Sequence, residues 1–212
     1  MTTRSSEEAG VTLVEATIIL TLAAILSAAL APVASRTLDR ARLSRAVDDA
    51  AAIKTAITNL LAEHTLFTPF TSTGGALGDT IEVLVSDGDI PFTDIGATEW
   101  DDVVTCCAAA VDVDFLERHL VTNTPIGGGG YSTALNGWRG TYISGPIDPD
   151  PWGNRYGVNV QHLRTAPTSN DTFVLSAGLD EEIDTTFTVN GVVPGDDDII
   201  DVVRRDVGLT VP

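Results

Sequence analysis

Between Ala16 and Ser35 the chain runs for twenty residues without a charge, ATIILTLAAILSAALAPVAS. As an α-helix this stretch reaches about 30 Å, the thickness of bilayer hydrocarbon, so it is expected to span a membrane. The competing readings are a cleaved secretory signal and a buried core helix. A secretory signal begins basic, has a shorter apolar core and leaves through small residues. Here the leading ten residues, MTTRSSEEAG, are polar and slightly acidic, and the small-residue exit is ill defined. One residue conflicts with the apolar run: Glu15, in VTLVEATIIL. A charge at membrane depth costs about 2.5–3.5 kcal/mol on insertion scales. Either a partner neutralises it, or it snorkels to the interface from near the helix end.

Charge is distributed unevenly around that segment. Residues 11–63 hold five basic and five acidic side chains, whereas residues 64–212 hold six basic and 23 acidic ones, within a chain of net charge -18. So acidic a C-terminal part repels phosphate backbones, and no nucleic-acid partner is expected. Cys106 and Cys107 are the only cysteines, and because they are adjacent they cannot pair to tie distant parts of the fold. A strained vicinal disulfide and two reduced, partly buried thiols both remain open. No zinc-ligand spacing accompanies them.

Helical periodicity continues past the span. Leu43, Val47, Ala50, Ile53, Ile57, Leu60 and Leu61 recur every three or four residues, with Arg42, Arg45, Asp48, Asp49 and Lys54 mostly elsewhere on the surface. A single helix over 11–62 would be about 78 Å long, too long for a compact globule of this size. Pro32 lacks an N–H and crowds the carbonyl of Ala28, which makes it the expected site of a kink.

From residue 64 onward, short apolar runs are divided by Gly, Pro, Asp and Asn, a pattern of strands and loops. Strands are expected at Ile81–Val85, Tyr142–Ile143, Tyr156–Val160, Phe173–Ser176 and Phe187–Val189, and a short helix at Asp112–Leu120 with Asp112 as its cap. Gly127–Gly130 reads as a turn; without a following Lys-Ser/Thr pair it is no phosphate loop. His64, His119 and His162 occur without GxSxG, HExxH or a paired-carboxylate setting, so they read as core or surface histidines and no catalytic residue is expected.

Two groups of residues carry a resemblance. Gly10 followed by Val11-Thr12-Leu13-Val14-Glu15 and an apolar helix resembles the leader signal of the type IV pilin superfamily, with Pro32 at the position where such proteins often carry a helix proline. The head segment GWRGTYISGPIDPDPWGNRYGVNV resembles the major pseudopilin of type II secretion through Asp150, Pro151, Trp152, Gly153, Asn154 and Tyr156, with Trp138 and Tyr142 echoing a preceding aromatic pair. In the turn itself Pro151 fixes φ, Gly153 permits a reversed backbone and Trp152 offers an apolar anchor. The order Ser176, Gly178, Asp180, then Asp198-Ile199, is similar to the calcium loop of the same family, with a longer insertion between the halves. The match covers the first sixty-odd residues and roughly 137–202. Val11 in place of the usual Phe and a leader with one Arg and two Glu depart from the family pattern.

The resemblance implies an α+β fold, a long N-terminal helix packed on a small antiparallel sheet. It implies a leader at 1–10, a transmembrane assembly helix at 11–35, an amphipathic stem at 36–63 and a head at 64–212. It implies cleavage between Gly10 and Val11, N-methylation of Val11, and pairing of Glu15 with the new α-amine of a neighbouring subunit. Calcium would be held by Asp180 and Asp198, then Asp184, Asp196 and Asp197, with a merely solvated acidic face as the alternative. Implied partners are copies of itself, minor pseudopilins, a prepilin peptidase and an inner-membrane assembly platform. Arg36, Arg40, Arg42 and Arg45 after the span would by themselves hold the head in the cytoplasm; the resemblance implies the opposite side, with an inner-membrane precursor giving a periplasmic or surface filament. The expected function is therefore a structural filament subunit. An adhesion or DNA-uptake pilin, a membrane-anchored enzyme and an acidic binding module are the alternatives.

Overall fold

Helix α1 (Leu13–Glu63) runs unbroken for 51 residues and passes through Pro32. It belongs to a computed structural model that describes residues 12–63, 81–92, 100, 113–125, 130–131, 138–163, 170–187 and 191–204, with Gln161, His162 and Arg204 described by backbone alone. The chain divides into two units, Met1–Ala41 and Arg42–Pro212.

In the first unit Thr12 immediately precedes α1; its Oγ1 accepts the Glu15 N–H at 3.3 Å while its carbonyl accepts that of Ala16 at 3.0 Å. The most apolar stretch of α1 is long enough to cross a membrane, and none of it is buried. The few hydroxyls are turned inward. Thr17 donates to the carbonyl of Val14 and Thr21 to that of Ile18, both at 2.8 Å, and Ser35 to that of Pro32 at 3.2 Å. Polar groups satisfied within the helix suit an environment without water.

The second unit is a five-stranded sheet against the remainder of α1. Its strands are β1 (Val83–Val85), β2 (Val113–Phe115), β3 (Gly157–Val158), β4 (Thr172–Ser176) and β5 (Ile199–Arg204), with α2 (Leu116–Leu120) directly after β2 and a 3-10 turn at Val160–Leu163. The spatial order is β2-β1-β3-β4-β5. The sheet is mixed rather than antiparallel throughout: β1 and β2 are parallel, and the other pairs are antiparallel. Both faces are covered, so alternate residues of one strand enter different cores. Leu84 and Val174 face a cluster with Ala50, Ile53, Ile57 and Leu60 of α1, while Val83, Val85, Phe173 and Leu175 face a second cluster around Trp100 and Phe187.

Several sequence expectations change. The buried stripe of α1 starts at Ala46 and continues through Ala50, Ile53, Ala56, Ile57 and Leu60, leaving Leu43 and Val47 each 49% exposed. Tyr142–Ile143 forms bends, not a strand. Its tyrosine instead donates to Glu63 Oε2 at 2.5 Å, at the last residue of α1. Of the expected helix Asp112–Leu120, Val113–Phe115 is strand β2 and Leu116–Leu120 is helical, with Phe115 at the cap position and no side-chain capping bond; Asp112, the expected cap, lies outside the described residues. Tyr156–Val160 contributes the shorter β3, then turns into the 3-10 segment. Phe187 lies in a bend rather than a strand, and residues 188–190 lie outside the described residues.

Trp100, unassigned from sequence, is fully buried and packs edge-on to Phe187 at 4.8 Å and to Phe173 at 6.0 Å. Its Nε1 donates to the Thr185 carbonyl at 2.9 Å. Gly157 in β3 makes room for it, since a Cβ there would sit 3.0 Å from the indole.

Candidate functional site

Asp150 organises the turn before β3. Its Oδ1 accepts the N–H groups of Trp152 at 3.0 Å and Asn154 at 2.8 Å, and its carbonyl accepts that of Gly153 at 3.0 Å. Gly153 has φ 102°, a left-handed backbone that glycine adopts without steric cost. Asp150 and Asn154 are buried, and Trp152 is only half-buried, so Tyr156, at 1% exposure, is the aromatic that anchors the turn in the core. Burial pushes the Asp150 carboxyl above its usual range, opposed by the donors from Ser176, Asn154, Trp152 and Gly153. The second carboxylate oxygen of Asp150 accepts the Ser176 hydroxyl from the end of β4.

Beyond Ser176 the chain enters an acidic loop closed by the residues just before β5. Asp197 Oδ2 accepts the N–H groups of Leu179 at 2.6 Å and Asp180 at 3.2 Å. Asp198 Oδ2 accepts those of Asp184 at 2.9 Å and Thr185 at 2.6 Å, together with the Thr185 hydroxyl at 2.6 Å. Gly178, at φ 73°, allows the approach, because a Cβ there would lie 2.5 Å from the Asp197 carbonyl oxygen. Gly195 does the same opposite Asp184.

This geometry gathers Asp180, Asp196 and Asp197, whose carboxylate oxygens lie within 4.8 Å of one another. Asp184 and Asp198 are not in that group. Asp198, expected as a leading ligand, uses its Oδ2 to brace the backbone of Asp184 and Thr185. Sequence spacing could not separate three consecutive aspartates; the start of β5 turns Asp198 inward, and Asp196, at φ 21°, stays exposed.

The electrostatics of the loop are those of crowded like charges. The Glu182 N–H holds the Asp180 carboxyl down, but burial and the neighbouring Asp197 and Asp184 leave it raised overall. Burial pushes Asp198 up to about 6, against the lowering effect of the Thr185 and Asp184 donors. Asp197 Oδ1 and Asp198 Oδ1 are buried without hydrogen-bond partners. An all-oxygen donor set with an unpartnered buried carboxylate oxygen is chemistry that fits a hard divalent cation.

Glu15 is in the first turn of α1, and Pro32 is inside that helix. Gly10 and Val11, Cys106 and Cys107, and His64 lie outside the described residues, as does the side chain of His162. His119 is a core histidine. Fully buried, it bonds Asp114 through Nε2 at 2.9 Å and Tyr131 through Nδ1, and Arg118 joins the network at 3.0 Å from Asp114. Sequence reading missed this network because its members are spread over residues 114–131 and follow no recognised spacing.

Comparison with protein-family models, with curated proteins and with solved structures gives no significant match.

Proposed function

We propose that this protein is a structural subunit of a type IV pilin-like filament, most similar to a pseudopilin of type II secretion. The observation that carries the reading is α1: a helix of 51 residues whose apolar stretch is wholly unburied and which carries Glu15 in its first turn. An exposed apolar helix of this length needs a membrane or sister helices around it. In either setting Glu15 needs a cation, and cleavage after Gly10 supplies one, the α-amine of Val11 on a neighbouring copy. The head then lies outside the cytoplasm, and the partners are copies of the chain, minor pseudopilins, a prepilin peptidase that also methylates Val11, and an inner-membrane platform.

A divalent cation, calcium by its preference for oxygen donors, belongs to the loop of Asp180, Asp196 and Asp197, where it would relieve carboxylate repulsion. Its role there is structural, tying the end of β4 to the start of β5.

The test is Glu15→Leu in the full chain. Membrane insertion should persist and filaments should vanish from the sheared surface fraction. Filaments at normal levels would refute the pairing. A processed chain that stays monomeric in wild-type form would favour an acidic binding module instead.

A further inference from the structure

The uncharged run of α1 ends at Ser35, and the first charges beyond it in the same unit are Arg36, Asp39 and Arg40. All three are exposed, and among the described residues neither arginine makes an ion pair. Asp39 is three residues past Arg36, near enough on a helix to pair with it, yet no bond joins them. The hydroxyls beside the arginines are turned back onto the helix: Ser35 donates to the Pro32 carbonyl at 3.2 Å and Thr37 to that of Ala34 at 2.8 Å. Two guanidinium groups are thus left facing outward. Being four residues apart, they stand one above the other on a single face.

Their depth follows from helix geometry. The polar layer of a bilayer adds about 5–7 Å on each side of a hydrocarbon core about 30 Å thick. With the run from Ala16 to Ser35 filling that core, Arg36 and Arg40 fall about 1.5 and 7.5 Å beyond its end. Arg36 is then inside the headgroup layer and Arg40 at its outer edge, and long basic side chains bend along such a boundary to reach polar partners. A guanidinium matches a phosphate with two parallel N–H donors, so the headgroup phosphate is the acceptor this pair suits. Residues 64–212, with six basic and 23 acidic side chains, are repelled by an anionic surface and offer it no rival site.

We infer that Arg36 and Arg40 bind the phosphate groups of anionic phospholipids, which the chain gathers at the end of its span. The inference rests on the part of the filament reading that puts α1 across a membrane. It fixes how deep the span sits, and it holds on whichever side of the bilayer the head lies.

The full-length chain in phosphatidylcholine vesicles tests this, with spin-labelled phosphatidylglycerol and spin-labelled phosphatidylcholine as probes. Electron spin resonance reads the fraction of each probe immobilised at the span. Each basic side chain near an anionic surface is worth about fivefold in association, and Asp39 offsets one of the two, so the anionic probe should be preferred about fivefold at low salt. The preference should fall close to one in Arg36→Gln/Arg40→Gln, and also in 1 M salt, where screening acts over about 3 Å. Asp39→Asn should raise it. Equal association of the two probes with the wild-type chain, or a preference unchanged in the double variant, would overturn the inference. Carbonate extraction of the same vesicles separates it from the reading beneath it. A chain that stays inserted without a lipid preference refutes the phosphate contact alone; a chain stripped off by carbonate refutes the span, and the contact with it.

Discussion

The hydroxyl of Ser176 donates a 2.7 Å hydrogen bond to Oδ2 of Asp150, joining the end of β4 to the turn that precedes β3. These residues are 26 apart in the chain, and both are buried. Asp150 thereby holds the turn with one oxygen and the opening of the acidic loop with the other. Ser176→Ala leaves a buried carboxylate oxygen without its donor, which costs about 1–3 kcal/mol. Denaturant unfolding of the full chain in detergent, followed by tryptophan fluorescence, should show that loss.

The burial of Asp150, which the Ser176 hydrogen bond opposes, gives stability a pH dependence. Burial raises the Asp150 carboxyl above its usual 3.8, so between that value and the raised one the folded state binds more proton than the unfolded state. This contribution is fully present below about pH 3.8 and is lost as pH rises through the folded value. Asp150→Asn removes the titration while keeping an oxygen for the Trp152 and Asn154 N–H groups. The difference in melting temperature between wild type and Asp150→Asn should therefore change with pH across that window and be flat well above it. A difference independent of pH would contradict the assignment.

Calcium binding to the acidic loop should raise the melting temperature with concentration, by about 2.7 kcal/mol of stabilisation at a hundredfold excess over Kd. Chelation should reverse it. Asp197→Asn should abolish the shift, whereas Asp184→Asn, outside the gathered group, should retain it. Differential scanning calorimetry with and without calcium reads both, and equal shifts in the two variants would refute the ligand set.

Gly178→Ala places a methyl 2.5 Å from the Asp197 carbonyl oxygen at a φ of 73°. Strain of this kind costs of order 1–3 kcal/mol. The loop should also open, so limited proteolysis between residues 178 and 197 should speed up relative to the rest of the head.

How much of the molecule is legible in the sequence depends on how far each signal reaches along the chain. The uncharged run and the three- and four-residue spacing announce α1 because helix contacts are local. They do not say where packing begins, so the spacing places Leu43 and Val47 in a buried stripe that starts only at Ala46. Ala46 and Ala56 are buried in that stripe through small size rather than hydrophobicity. Within the head, β4 is legible as a continuous apolar run buried on both faces. Strand β5 is not, because IIDVVR sits inside a run of charges and shows its apolar character only when paired with β4. The parallel pairing of β1 and β2 depends on partners far apart in the chain, Val83 with Val113, which local pattern cannot encode. For the acidic loop the sequence marks the right segment, but only the backbone decides which aspartates point together.

A cleaved, amine-bearing N-terminus meeting Glu15 of a neighbour is the pairing on which the filament reading depends. Mass spectrometry of the chain recovered from sheared filaments tests it most directly. The account predicts a subunit that begins at N-methylated Val11; a subunit that retains residues 1–10 within ordered filaments would contradict it.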